Sequence, residues 1–291
     1  MFETLSLPEK KHQVAVWMPC FNAERWVVQA VSSVLKQEGV DPVLIVFDDC
    51  STDSTSEILR GLSEQHPKQV YVSRPLVNSF VAGNKSVRMA LLEMVQCDFI
   101  AILDADDFWN SSAKLRTSME AIQRSGAPAA GHAVNILGEN SQAAKHRALN
   151  EAISRQNLKS KLFRAQGFLP WRVATCTLVV RRQAFPFDLQ DQIARAPAMD
   201  LVIKLGVLRS GPIEFIEAPL ATYRVHAESA WSSRSVVGKS VSTFGILLAL
   251  RKCLGVKKSA LTMCYGAAWA MLNARMSVSV RLRRWSKQHD K

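Results

Sequence analysis

Glycine is scarce in this chain, 13 of 291 residues, and the arrangements that depend on it are missing. No G-x-G-x-x-G follows the first apolar run and no G-x-x-x-x-G-K-[ST] occurs anywhere, which excludes a dinucleotide fingerprint and a P-loop. Cysteine is present without pattern. Cys20, Cys50, Cys97, Cys176, Cys253 and Cys264 form no C-x-x-C pair, so zinc-ligand spacing and a disulfide framework are not expected and a reducing cytoplasm fits. No internal repeat or low-complexity segment interrupts the sequence. The first eleven residues carry Glu3, Glu9, Lys10 and Lys11 without an apolar h-region, which does not read as a signal peptide.

Acidic residues are nearly absent from the C-terminal end. From Trp231 onward twelve Lys and Arg face Asp290 alone, a charge of +11, whereas residues 1–230 carry +1. The asymmetry predicts an anionic partner for the tail and not for the body. The apolar segments "VSTFGILLAL" and "ALTMCYGAAWAMLNA" are too short to span a bilayer as helices. Flanked by "RKCLGVKK" and "RLRRWSK", they predict a basic, mostly helical appendage over 233–291, either packed on the body or lying on an anionic membrane surface. Nucleic acid is an unlikely partner, because no reader motif accompanies the charge.

Three short apolar runs are present in the first half: "VAVWM" (14–18), "VLIVF" (43–47) and "FIAIL" (99–103). Apolar on every side chain, they predict parallel strands covered on both faces. Between them Ala23–Lys36 has helical apolar spacing, Ser54 and Glu57 form a capping-box pattern, and a third helix is expected over Asn84–Val95. Alternating strands and helices imply a doubly wound α/β layer with a mainly parallel sheet flanked by helices. The runs end in "PCFNAE", "DDCSTD" and "DADD", and ligands of such sheets bind outside the carboxyl ends of the strands. The three polar clusters therefore share one cleft, with "GNKSVR" (83–88) able to reach its edge. Asp104, Asp106 and Asp107 repel one another and call for a cation. Without a glycine loop, a phosphate there would be held through a hard divalent metal, magnesium or manganese.

The order and spacing of these segments resemble a family 2 glycosyltransferase of the GT-A fold. "VWMPCFNAE" is similar to that family's first strand and turn, and "LIVFDDCSTDST" to its "VDDGSTDGT". "DFIAILDADDFW" resembles its DxD segment, "VVRRQAF" with Phe187-Asp188 its mid-domain strand and turn, and "YRVHAESAWS" its closing Tyr-Arg-x-His segment. The resemblance covers about residues 14–232. It implies a GT-A domain over 1–232, with a nucleotide-sugar half at about 12–125 and an acceptor half at about 126–232. The implied activity is metal-dependent, inverting transfer from a nucleotide sugar, with a UDP-sugar as donor, to a lipid-linked or polysaccharide acceptor. The implied setting is surface polysaccharide or glycolipid assembly, cytoplasmic and peripheral on the inner face of the cell membrane.

Residue by residue, the resemblance implies that Asp49 meets the nucleobase, that Pro19 and Phe21 shape its pocket, and that Asp104 faces the ribose. Asp106 would ligate the metal, His226 would contact metal or diphosphate, and Arg88 would lie near the nucleotide. The segment "PAMDLVIKL" (197–205) departs from the family's acidic catalytic segment: Pro197 and Ala198 stand in the Glu-Asp positions and Asp200 remains. Asp200 is a candidate general base for the acceptor hydroxyl or a helix-start residue, Asp188 and Asp191 are its alternatives, and loss of the base stays open. Trp109 and Trp171 are candidates for an acceptor site or for core. Two rival readings are a nucleotide-sugar-binding protein without catalysis and a haloacid-dehalogenase-like phosphatase, although Phe108 replaces the Thr or Val expected after the phosphatase's second Asp.

Overall fold

A computed structural model of the chain describes residues 2–79, 81–82, 86–138, 143–144, 173–196 and 199–226. The three apolar runs lie on central strands: β2 (His12–Cys20) and β3 (Pro42–Asp48), then β5 (Cys97–Ile102) after β4 (Val70–Pro75). Successive side chains of one strand enter opposite cores. Val14, Val16 and Met18 enter the first, Ala15 and Trp17 the second. The first core is covered by α1 (Val27–Leu35), α2 (Thr55–Gln65) and α4 (Lys114–Ser125), through Val31, Leu59, Leu115 and Ile122. The second is covered by α3 (Ser86–Met94), α5 (Gln190–Arg195) and α6 (Met199–Ser210), through Leu92, Ile193, Leu201 and Leu205. Each fully buried aliphatic side chain contributes about 1.5–3 kcal/mol, which is why neither face of these strands carries a polar alternation.

Among the described residues the sheet has nine strands, in the order β1-β4-β3-β2-β5-β8-β7-β9-β6. The remaining strands are β1 (Phe2–Thr4), β6 (Phe108–Trp109), β7 (Ala129–Leu137), β8 (Val179–Arg181) and β9 (Ile213–Arg224). The run β4-β3-β2-β5 is parallel throughout, and β7 pairs in parallel with β9. Strand β8 joins these halves antiparallel to both β5 and β7, while β1 and β6 are short antiparallel edges. The α/β layer is the expected one, with its far half mixed.

One local expectation fails. Ser54 stands at the N-cap of α2 but makes no side-chain cap bond, so the Ser54–Glu57 capping box does not form. The loops after β2 and β3 lie side by side, and acids take the free amides first: Ser54 N donates to Glu24 Oε2 at 2.9 Å and Thr55 N to Asp53 Oδ1 at 3.0 Å. Helix α3 spans Ser86–Met94, inside the expected 84–95. The tail over 233–291, the boundary near 232, and Trp171, Pro197 and Ala198 lie outside the described residues.

Helix α6 seats against the turn before α5 through Gly206, where an added Cβ would stand 2.4 Å from Pro186 Cβ and 2.7 Å from its Cγ. Gly206→Val is therefore expected to cost about 2–3 kcal/mol by overpacking against a ring that cannot rotate away. Urea unfolding measures this, and an unchanged midpoint would contradict the contact.

Candidate functional site

The loops leaving β2 and β3 are laced into one edge. Asn22 N donates to Ser51 Oγ at 2.9 Å, Ala23 N to Thr55 Oγ1 at 2.8 Å and Thr52 N to Asn22 Oδ1 at 2.8 Å. Two non-glycine residues here adopt left-handed backbone, Asn22 (φ 48°) and Cys50 (φ 62°). Asparagine tolerates this, whereas cysteine carries a cost of about 1–2 kcal/mol. Asp48 is consumed by the fold, accepting from Ser51 N at 3.0 Å, Ser51 Oγ at 2.5 Å and Arg74 Nη1 at 2.6 Å.

Asp49 is 2% exposed. Its Oδ1 accepts from Ser79 N at 2.6 Å and its Oδ2 pairs with the Arg88 guanidinium, which lies 5.4 Å from the Phe47 ring centroid. Arg88 Nε also donates to Ser79 Oγ at 2.9 Å. Asp49 and Arg88, expected separately at the nucleotide, thus form one unit. Pro19, the next-to-last residue of β2, is half-buried, and Phe21 projects from the loop that follows, 52% exposed.

The acidic turn follows β5, closed by Asp107 N donating to Asp104 O at 3.0 Å. Its three carboxylates are separated by partner. Asp107 is buried and its Oδ1 accepts from Arg224 N at 2.8 Å. Burial, then the Asp106 and Asp104 charges, drives the Asp107 carboxyl well above the ordinary carboxylate range. Asp106 stays partly open, and its Oδ2 lies 2.9 Å from His226 Nε2. Burial, then the Asp106 and Asp200 carboxylates, pushes Asp104 up to about 7, against the pull of Lys204 and Arg88. That shared field joins the Asp49–Arg88 unit on one side to α6 on the other.

Asp200 lies in the first turn of α6 and Lys204 one turn later. The Lys204 ammonium donates to Asp200 Oδ2 at 2.8 Å, and Thr175 Oγ1 reaches the same oxygen at 3.3 Å. Against the upward push of burial, these contacts hold the Asp200 carboxyl below its ordinary value. Asp188 is paired with Arg209 at 2.7 Å instead. Arg209 is about 14 Å along α6 from Asp200, so Asp188 is not brought to the cluster. Asp191 is exposed on the neighbouring α5. Trp109 is core: it is 4% exposed and its Nε1 donates to Cys176 O at 2.8 Å.

Several residues of the site had no role assigned from sequence. Ser79 holds Asp49, and Lys204 holds Asp200 at an i,i+4 spacing that was readable beforehand. Arg224 stands inside the quoted Tyr-Arg-x-His segment, but its contacts are with distant residues. Asp106 and His226 suit a hard divalent cation, since a carboxylate oxygen and an imidazole nitrogen face one point. Among the described residues no group of three or more His, Cys, Asp or Glu encloses a metal. Two protein donors alone would leave a cation there open to the oxygens of a bound phosphate.

Comparison with known proteins followed the same outline. The family model described as glycosyl transferase family 2 matches residues 15–185. The chain spans 59% of the length of the first curated relatives that it matches, at 24% identity over 215 residues. It is 35% identical over 96 residues, 33% of this chain and 36% of the relative, to the Escherichia coli protein named UDP-Glc:alpha-D-GlcNAc-diphosphoundecaprenol beta-1,3-glucosyltransferase WfgD. Among solved structures, Staphylococcus aureus TarS 1–349 in complex with UDP-GlcNAc superposes with a TM-score of 0.61 at 17% identity, covering 88% of this chain and 71% of that one. The mannosyltransferase PcManGT of Pyrobaculum calidifontis, in complex with GDP-Man and Mn2+, superposes with a TM-score of 0.57 at 14% identity, covering 99% and 86%. At these identities the superpositions show the fold, which is the GT-A fold.

The Asp104 carboxyl sets a pH test. It titrates at about 7 when folded, against about 3.9 in the unfolded chain. Between those values the folded state holds the extra proton, so stability falls as pH rises from about 4 to about 7. Asp104→Asn is expected to flatten that fall in protein kept in chelator, followed by thermal unfolding from pH 4 to 8. An unaltered pH slope would contradict the assignment.

Proposed function

Since the chain belongs to glycosyl transferase family 2, we propose that it moves a sugar from a nucleoside diphosphate donor to an acceptor hydroxyl, with inversion at the anomeric carbon. The observation that carries this reading is the convergence of Asp106 and His226 at the carboxyl end of β5, with the Asp49–Arg88 unit on one side and Asp200 on the other. The laced loops after β2 and β3 form the nucleoside floor, with Pro19 and Phe21 bounding the base. Asp49 and Arg88 fix the polar edge beneath it, and Asp104 faces the ribose. Uridine is the nucleoside we favour; the names of WfgD and of the TarS complex support it.

Asp106 and His226 would hold a divalent cation, magnesium or manganese, and the manganese in the PcManGT complex supports that choice. Bound there, the cation would neutralise the charge that develops on the departing nucleoside diphosphate. Asp200 is ionised at neutral pH under the Lys204 field and takes the proton of the attacking hydroxyl as the glycosidic bond breaks. Thr175 and Lys204 hold its carboxylate in place.

The acceptor we propose is lipid-linked or polysaccharide, in surface polymer assembly at the inner face of the cell membrane. The name of WfgD supports this, as does the +11 charge from Trp231 onward. Truncation after residue 232 is expected to abolish sedimentation with anionic vesicles while donor binding survives. Equal sedimentation of both forms would refute the tail's part.

Two substitutions test the chemistry after a panel of nucleotide sugars has identified the donor. Asp106→Ala is expected to remove metal-stimulated donor binding with the fold retained. Asp200→Asn is expected to lower kcat by about 10²–10⁴-fold with donor affinity nearly unchanged, because a base acts on the acceptor proton alone. Near-normal turnover of Asp200→Asn would refute Asp200 as base. Tight donor binding with no turnover for any acceptor would select a binding protein instead.

A further inference from the structure

We propose that Arg224 is the positioning residue of the Asp106–His226 pair; the inference rests on reading that pair as the cation site. Arg224 closes β9 and contacts three other elements. Its Nη1 donates to the Asp106 main-chain oxygen at 2.5 Å, its Nη2 to Gln29 Oε1 on α1 at 2.8 Å, and its own amide to Asp107 Oδ1 at 2.8 Å. The guanidinium lies near two rings, 5.8 Å from the Trp26 centroid and 5.5 Å from that of Phe108. Two residues on, the His226 ring rests against one of these rings, Trp26, with centroids 4.2 Å apart.

These contacts define a function. The Asp106 carbonyl belongs to the turn that aims the Asp106 carboxylate, so fixing the carbonyl fixes the direction of the side chain. Trp26 supports His226 and is itself faced by Arg224, so one guanidinium sets both members of the pair. Two donors pointing at separate elements, with the guanidinium near two rings, require the rigid fork of arginine; a lysine ammonium is a flexible point charge. No donor of Arg224 is bonded to the Asp106 carboxylate or to His226 Nε2. The residue therefore places a positive charge among three acids while leaving the cation position free. Partners that orient metal ligands in this way are worth about 10–100-fold in metal affinity.

Charge and positioning make opposite forecasts. Arg224→Met removes a positive charge next to the cation, so a purely electrostatic residue would give tighter manganese binding when lost. Positioning predicts weaker binding. The experiment is calorimetric titration of the full chain with manganese in the presence of UDP, using wild type, Arg224→Met and Arg224→Lys. We expect a loss of about 10–100-fold in manganese affinity in both variants. Unchanged or tighter binding in a variant that melts cooperatively would overturn the proposal, and Arg224→Lys decides it should Arg224→Met fail to fold. Hydrogen exchange of the 104–107 amides, measured in chelator, supplies a second readout in Arg224→Lys and Gln29→Leu, where exchange about tenfold faster than wild type is expected and unchanged exchange overturns the tether. Wild type that binds no manganese with UDP would refute the functional reading, while the exchange measurement still judges Arg224.

Discussion

Three carboxylates within four residues, at the end of a strand that is buried on both faces, repel one another in a setting where water screens them poorly. The surrounding structure is organised by that repulsion. Asp107 is taken out of solvent and bonded to the Arg224 amide, Asp106 is turned toward His226, and Asp104 is left between Asp106 and Asp200 with its proton held up to about 7. The cations close by are already engaged. Arg88 is paired with Asp49, Lys204 with Asp200, and Arg224 donates to a carbonyl and an amide side chain. The basic side chain that meets the Asp106 carboxylate is His226, 2.9 Å away, and this pair is where we propose that a cation binds.

The half of the fold that was legible in sequence is the half buried on both sides. β2, β3 and β5 read directly because every residue of their apolar runs is buried. The strands of the other half are less explicit. β9 spans Ile213–Arg224, yet Glu217, Ala218 and Pro219 in its middle are exposed, and its partner β7 lies about eighty residues earlier. Such a strand is defined by whom it pairs with, and pairing over that separation leaves no local periodicity. The capping box failed for the related reason that Glu24 and Asp53, from an adjacent loop and the preceding residue, reached the amides first.

The site was legible in its parts and not in its pairings. Asp49, Arg88, Asp106 and His226 were each marked by a local segment, but that Arg88 closes on Asp49, and that His226 crosses 120 residues to meet Asp106, is information held by the sheet order. The one-turn spacing of Asp200 and Lys204 is the local kind of signal from which a pairing can be read. Arg224 was quoted and given no role because all of its side-chain targets lie at least 116 residues away.

The lengths of the outermost strands carry a last consequence. Within the described residues, the sheet ends in β1, three residues long, and β6, two residues long. β1 pairs with Arg74 and Pro75 at the end of β4, and β6 with Ala221 and Thr222 near the end of β9. Unsatisfied edges recruit strands from other molecules, and stubs of this length give an incoming strand too little ladder to hold. Within the described residues, the outermost strands therefore offer an incoming strand few ladder positions.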